Sequence, residues 1–460
     1  MRQLWRRTMV SWVLPGCAGA LPSAVLGAVL LLLLASVGCL SGRSVRTAAA
    51  ERDYSVSPLA FEMLQRAQQA LGEDDADKAY EALQRMRERE DRFSEHERTL
   101  MWQLYAQMYA DQGHYKEAAG CLQYALKLGA LPQQALQDAG FDLGQLQLAG
   151  GQHTAAADTF SQWLREVEAP TAEARYLAAV ALFEAQRFEP ALAQISQAVA
   201  MQAAPAESWL QLQLAAQLQL ERYADAEVSL LRLLEEHPKS TYWMQLAAVY
   251  GELQRYPQSL AAMEILERQG ELTRAADLRR LARLYLQQRV PTKALSLFSR
   301  YQASGGLPRD AETLEILADA LLMAHEREQA LQVLQELSAL VDHGRAELRL
   351  AYLYLDADQF EAASRAVRKA LERGGLRARG QAYVLLGTID AQLGRKVAAR
   401  RAFELAAQDD ATRAVAERWL ADLSPAKHGQ SRGEEKRSVA PDDGAGTTAS
   451  SGTTTASGGP

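Results

Sequence analysis

The chain has 460 residues, 48% hydrophobic and 23% charged, which is ample apolar material for a large core. Its net charge of −7 comes from interspersed acids and bases with no long basic block, so the electrostatic footprint of a nucleic-acid binder is missing. The chain contains no asparagine, and so offers no N-glycosylation acceptor.

Residues 1–39 differ in kind from the rest. Arg2, Arg6 and Arg7 make a basic start, and no further charge appears until Arg43. The most apolar run, 24–34, ends in five leucines. A basic region ahead of such a run reads as an export signal. The run leads into Ser36-Val37-Gly38-Cys39, which resembles a bacterial lipobox, whose cysteine is lipidated and becomes the new N-terminus. Gly38 fits that pattern, and Ser36 stands where leucine is usual. Ordinary signal-peptide removal and a retained membrane anchor are the other readings. With Cys39 lipidated, Leu40 replaces the aspartate that retains lipoproteins in the inner membrane, and the resemblance then implies an outer-membrane destination. Processing would leave Cys121 as the single thiol beyond Cys17 and Cys39, a small side chain packed in a helix. Residues 40–56 read as a linker.

From 57 to 423 the sequence repeats. A small residue recurs at Ala79, Ala118, Ala156, Ala191, Ala226, Ser259, Ala294, Ala330, Ala363 and Ala399, at intervals of 33 to 39 residues. Each is preceded by one helical stripe and starts another. Trp102, Tyr105, Ala106 and Tyr109 fall at i, i+3, i+4 and i+7, followed by Ala118, Leu122 and Ala125. Trp243, Leu246, Ala247 and Tyr250 precede Ser259, Met263 and Leu266, and Leu278, Leu281, Ala282 and Tyr285 precede Ala294, Phe298 and Tyr301. Leu386-Gly387 precedes Ala399, Phe403 and Ala406. The first repeat, with Met63, Ala67, Ala79, Leu83 and Met86, has the longest link to its successor. Ser57-Pro58 and the Ser94/Glu97 capping box mark helix starts, and Gly305-Gly306 and Gly374-Gly375 mark ends. Residues 411–423 read as a capping helix with Trp419 and Leu420 inward, and the Pro/Gly/Ser/Thr-rich segment 424–460 reads as a disordered tail.

A period near 34 with this pattern resembles the tetratricopeptide (TPR) repeat. The implied fold is all-α: a right-handed superhelical solenoid of about ten helical hairpins, some twenty-one helices with the cap. Such arrays bind proteins or peptides on a groove lined by the first helix of each hairpin. The corresponding positions include Tyr176, Val180 and Phe183 in repeat four, and Arg279 and Arg283, beside Arg280, in repeat seven. They include Glu312, Glu315 and Asp319 in repeat eight, and Arg345 and Tyr352 in repeat nine. The plainer reading is that these charges pair across neighbouring repeats. The lack of asparagine removes the carboxylate clamp by which some TPR proteins grip a peptide C-terminus.

No catalytic pattern accompanies the repeats. The seven histidines are scattered, with no pair at metal-binding spacing and no H-E-x-x-H. The acidic cluster Glu73, Asp74, Asp75 and Asp77 fails as a calcium loop, because Lys78 and Gln84 stand where glycine and glutamate are required. Phosphate-binding loops and nucleophile elbows are absent, and neither enzyme activity nor a cofactor is expected.

The stretches YWMQLAAVYGELQRY (242–256), VPTKAL (290–295), ALERGGL (370–376) and AAQDDATRAVAERWL (406–420) are similar to exported TPR proteins that accompany TonB–ExbB–ExbD systems of Gram-negative bacteria. That resemblance implies a membrane-anchored, periplasm-facing scaffold whose partners are envelope proteins, TonB-complex members among them. An assembly factor for a pilus or secretion machine is the competing reading.

Overall fold

A computed structural model describes residues 54–423. Cys39, the signal-like segment, most of the linker and the tail lie outside them. The described residues form two units, one ending at Pro308 and one starting at Arg309.

In the first unit fourteen α-helices pair into seven hairpins. They are α1 (Pro58–Gly72), α2 (Ala76–Arg87), α3 (Glu95–Asp111), α4 (Tyr115–Leu128), α5 (Gln133–Ala149), α6 (His153–Glu166) and α7 (Ala172–Glu184), continuing with α8 (Phe188–Ala200), α9 (Glu207–Gln219), α10 (Tyr223–Glu236), α11 (Ser240–Glu252), α12 (Tyr256–Arg268), α13 (Ala275–Gln287) and α14 (Pro291–Ala303). The second unit holds α15 (Ala311–Met323), α16 (Arg327–Leu340), α17 (Arg345–Asp356), α18 (Phe360–Arg373), α19 (Arg379–Gln392), α20 (Lys396–Ala406) and the cap α21 (Arg413–Leu423). Most helices have 11 to 15 residues, too short to be stable alone in water, so the neighbouring hairpins stabilise them.

The ten small residues that set the period are all at 0% exposure. Each opens the packed face of a second helix where the two helices of a hairpin approach most closely. At the sixth position the substitute Ser259 keeps its hydroxyl satisfied by donating to the Ala247 carbonyl at 2.6 Å, so a polar side chain stands in for alanine without an unpaired group. The residue four places on fills the space beside each contact. Where that residue is phenylalanine the facing position can be glycine: a Cβ on Gly144 would lie 2.8 Å from the Phe160 ring, and one on Gly387 2.7 Å from Phe403. Gly387 is therefore a site of close approach rather than of flexibility.

All ten turns inside hairpins have one geometry. The residue five places before the small residue is left-handed in every case, with φ between 57° and 76°. The next N–H then reaches back five residues to a first-helix carbonyl. His114 donates to Tyr109 at 2.8 Å, Arg187 to Leu182 at 2.8 Å, Val290 to Tyr285 at 2.9 Å and Arg395 to Asp390 at 2.8 Å. This is the Schellman closure, which satisfies carbonyls at a helix end that would otherwise be orphaned. Glycine holds the left-handed position only at Gly113, Gly151 and Gly394. Elsewhere it is Asp74, Gln186, Glu221, Gln254, Arg289, His325 or Asp358.

The long first link is filled rather than loose. A 3-10 turn (Glu90–Arg92) carries buried Phe93 into the core beneath it. The Ser94/Glu97 capping box is present, and Glu97 does more than cap: it also accepts the backbone N–H of Ser57 at 2.6 Å, tying the start of α1 to the start of α3. Burial opposes the Glu97 charge, but the donors from Ser57 and Ser94 outweigh it and hold the carboxyl below its ordinary range. The cap α21 stacks Trp419 on Phe403, ring centres 5.4 Å apart and planes 4° from parallel, and so closes the apolar end of the last hairpin. Among the described residues no helix is long and apolar enough to cross a membrane.

Candidate groove on the first helices

The faces that the cores leave free decide what the arrays can hold. In the first unit the expected apolar trio lies on α7. Phe183 is buried and meets Phe188 edge to face, ring centres 5.2 Å apart. Tyr176 is half-buried and stacks on Trp209 of α9 at 5.2 Å and 14°. Val180, also half-buried, packs on the same cluster, which runs from Leu148 to Val249. Phe183 thus serves hairpin packing, whereas Tyr176 and Val180 keep part of their surface exposed. The basic residues lie together on α13: Arg279 is half-buried and Arg283 exposed, while Arg280 turns inward and donates to the Ala247 carbonyl at 3.2 Å.

In the second unit, α15 presents Glu312, Glu315 and Asp319 at i, i+3 and i+7, and α17 presents Arg345, Arg349 and Tyr352 at i, i+4 and i+7. Each set lies along one helix face. Asp319 pairs with Arg349, joining the two rows. Next to that pair lies a cavity of about 180 Å³ lined by Glu312, Glu315, Leu337, His343, Arg345 and Arg349, among others. Tyr352 continues the α17 row, half exposed.

Three features lie off the groove positions that the repeat consensus gives. Arg349 stands on the same face as Arg345 and Tyr352, one turn from each, a spacing legible in the sequence. Asp142, one turn beyond Asp138 on α5, has its carboxyl pushed up to about 7, by burial first and by the Asp138 charge second. Two further carboxylates are buried inside the second unit. Glu347 accepts from the Ser338 hydroxyl at 2.7 Å and pairs with Arg373. Asp390 accepts from Ser364 at 3.0 Å, pairs with Arg368 and has Arg395 at 3.7 Å. Burial raises the Cys121 thiol to about 11, so at neutral pH it is a protonated packing group and a poor nucleophile. Among the described residues no group of three or more His, Cys, Asp or Glu is placed to hold a metal ion.

Comparison with known proteins identifies the repeat in part of the chain. A tetratricopeptide-repeat family model matches residues 106–169 and 141–208. The TPR repeat is thereby identified over residues 106–208. No curated protein sequence matches it significantly. Similar solved structures include a TPR protein from Parabacteroides merdae, 17% identical over 55% of this chain and 98% of that one, with a TM-score of 0.34. The C-terminal part of a TPR repeat-containing protein from Cytophaga hutchinsonii is 13% identical over 53% and 98%, with a TM-score of 0.41. YrrB, described as a TPR protein with an unusual peptide-binding site, is 14% identical over 41% and 96%, with a TM-score of 0.34. Arginines in the turns before second helices make exposed ion pairs with acids of the preceding repeat's second helix, such as Arg187–Asp158 and Arg222–Glu189. Each such pair is worth ~0–1 kcal/mol.

Proposed function

We propose that this chain is a non-catalytic scaffold that holds protein or peptide segments of the bacterial cell envelope on its first-helix faces. The observation that carries the reading is the pair of charged rows on α15 and α17, flanked by half-exposed Tyr352 and left outside the cores that the repeats build. Arginine and tyrosine are favoured anchors in interfaces. The envelope part of the proposal rests on the basic, apolar and lipobox-like order of residues 1–39. Lipidation at Cys39 would tether the array to a membrane, and the repeat and linker stretches similar to TonB-associated TPR proteins give accessory service to TonB-dependent transport as the specific form.

Crosslinking in intact cells followed by recovery from membranes tests the partner. TonB-complex members or their receptors are the expected captures. Pilus or secretion-machine subunits without any of these would replace the transport role by an assembly role. Labelled fatty acid should be incorporated by the natural chain and not by Cys39→Ala; failure of the natural chain to incorporate it refutes the anchor.

A further inference from the structure

The cavity between α15, α16 and α17 is charged in an uneven way. Its walls carry two carboxylates, Glu312 and Glu315, and two guanidiniums, Arg345 and Arg349, above an apolar base of Leu337, Val341 and Ala346. Arg349 is neutralised by Asp319. Glu315 is exposed and has neither hydrogen bond nor ion pair among the described residues. Arg345 is exposed too, and its partner is not a carboxylate but the His343 ring, Nη2 to Nε2 at 2.8 Å. An arginine only donates, so Nε2 is the acceptor and the ring proton sits on Nδ1, a buried donor with no acceptor. The cavity therefore presents a negative group lacking a cation on α15 and a positive group lacking an anion on α17. Its volume exceeds the ~150 Å³ that holds a benzene molecule, so it admits one large side-chain head and part of a neighbour.

We infer that this cavity is a subsite for a dipolar peptide segment, in which a lysine or arginine side chain of the client meets Glu315 while a nearby client carboxylate meets Arg345. A purely acidic or purely basic segment would satisfy one wall and place like charge against the other, which is unfavourable in a partly desolvated cleft. The fixed positions of Glu315 and Arg345 also give the site a direction: one order of the two client charges along the chain fits and the reverse does not. This inference rests on the groove-binding reading and names the client chemistry at one place in it.

The test is fluorescence anisotropy of the full chain with labelled Gly/Ser-framed peptides. They carry repeated Lys-Gly-Glu units, the reversed Glu-Gly-Lys units, lysine alone, glutamate alone or no charge. One of the two mixed peptides should bind at least tenfold more tightly than the other four probes. Glu315→Gln and Arg345→Gln should each remove most of that margin, and the exposure of both residues makes them safe to change. The double variant Glu315→Arg with Arg345→Glu should reverse the order preference. Equal binding of all peptides, or a preference that survives both single variants, overturns the inference. Client crosslinking in cells reads the broader proposal separately: captured clients with no peptide preference defeat this subsite alone, while absent clients defeat the scaffold role.

Discussion

The two units apply one repeat rule to different core chemistry. In the first, the stretch from Leu148 to Val249 forms one continuous apolar cluster; Glu97 is buried as a helix cap that accepts backbone N–H groups, and Asp142 is partly buried with no cation paired to it among the described residues. In the second, two carboxylates, Glu347 and Asp390, are buried within the hairpin stacks. Glu347 stands in the register of Trp102 and Trp243, and Asp390 in that of Tyr109, Tyr250 and Tyr285. At each of these two positions one hairpin of the second unit buries an anion and brings arginines over it, while Tyr383 and Tyr354 keep the ring in other hairpins of the same unit. A buried ion pair adds little net stability compared with apolar packing, yet leaving one partner alone inside is expensive. The difference is one of specificity: an anion that must be met by Arg373 or Arg368 tolerates fewer arrangements of neighbouring helices than a ring does.

The largest expected effect breaks that contrast directly. Arg373→Ala leaves Glu347 buried with Ser338 and the more distant Lys369, and should lower stability by about 3–5 kcal/mol in chemical denaturation. Glu347→Leu should cost far less, because the arginine left behind can reach water. Equal losses for the two variants would end the argument that the carboxylate is the stranded partner.

Next in size is a pH effect in the first unit. The Asp142 pKa is raised in the folded chain, so this group favours folding below the ordinary carboxylate range, and that contribution is lost as pH rises towards 7. Asp142→Asn should therefore stabilise the chain at pH 8, by on the order of 3 kcal/mol, and scarcely change it at pH 4. Glu97, held below its ordinary range, acts with the opposite sign, its contribution present at neutral pH and lost on acidification. Thermal midpoints at the two pH values check both.

Features common to the units should respond alike. Gly144→Ala and Gly387→Ala each press a methyl group into a phenylalanine ring and should cost about 1–3 kcal/mol, one in each unit. The smallest expected effect is a gain. Gln254→Gly in the first unit and His325→Gly in the second relieve a left-handed non-glycine residue that costs ~1–2 kcal/mol. Offset by the added freedom of glycine in the unfolded chain, each should stabilise by about 0.5–1 kcal/mol. A loss in either unit would mean that the side chain at that turn makes a compensating contact.

The period alone made most of the fold legible. The ten small residues, the stripes around them, the caps at Ser57 and Ser94 and the closing helix under Trp419 all follow from spacing and size. The left-handed turns were not legible, because seven of the ten lack glycine and the conformation is imposed by helix closure. The buried anions left a signal, since Glu347 and Asp390 stand where some other repeats carry an aromatic residue, but Arg373 and Arg368 lie 26 and 22 residues from them and become partners only once hairpins stack. Of the groove residues, periodicity located the faces. It did not distinguish Val180, which is half-buried against the apolar cluster, from Tyr352, which stays half exposed, although both stand eleven residues before the small residue of their repeat.

The uniform hairpin turn has a further consequence for how such a chain can change length. Because every turn ends on the same left-handed residue followed by the same backward hydrogen bond, the turns are interchangeable splice points. Excising residues 187–221 would join Gln186 directly to Arg222, which already follows a left-handed residue in its own turn and closes onto its own first helix as Arg187 does. One whole repeat leaves, and the new junction inherits a turn that both parents had already solved. Lengthening or shortening the array in this way alters its reach in steps of one hairpin without designing a new loop.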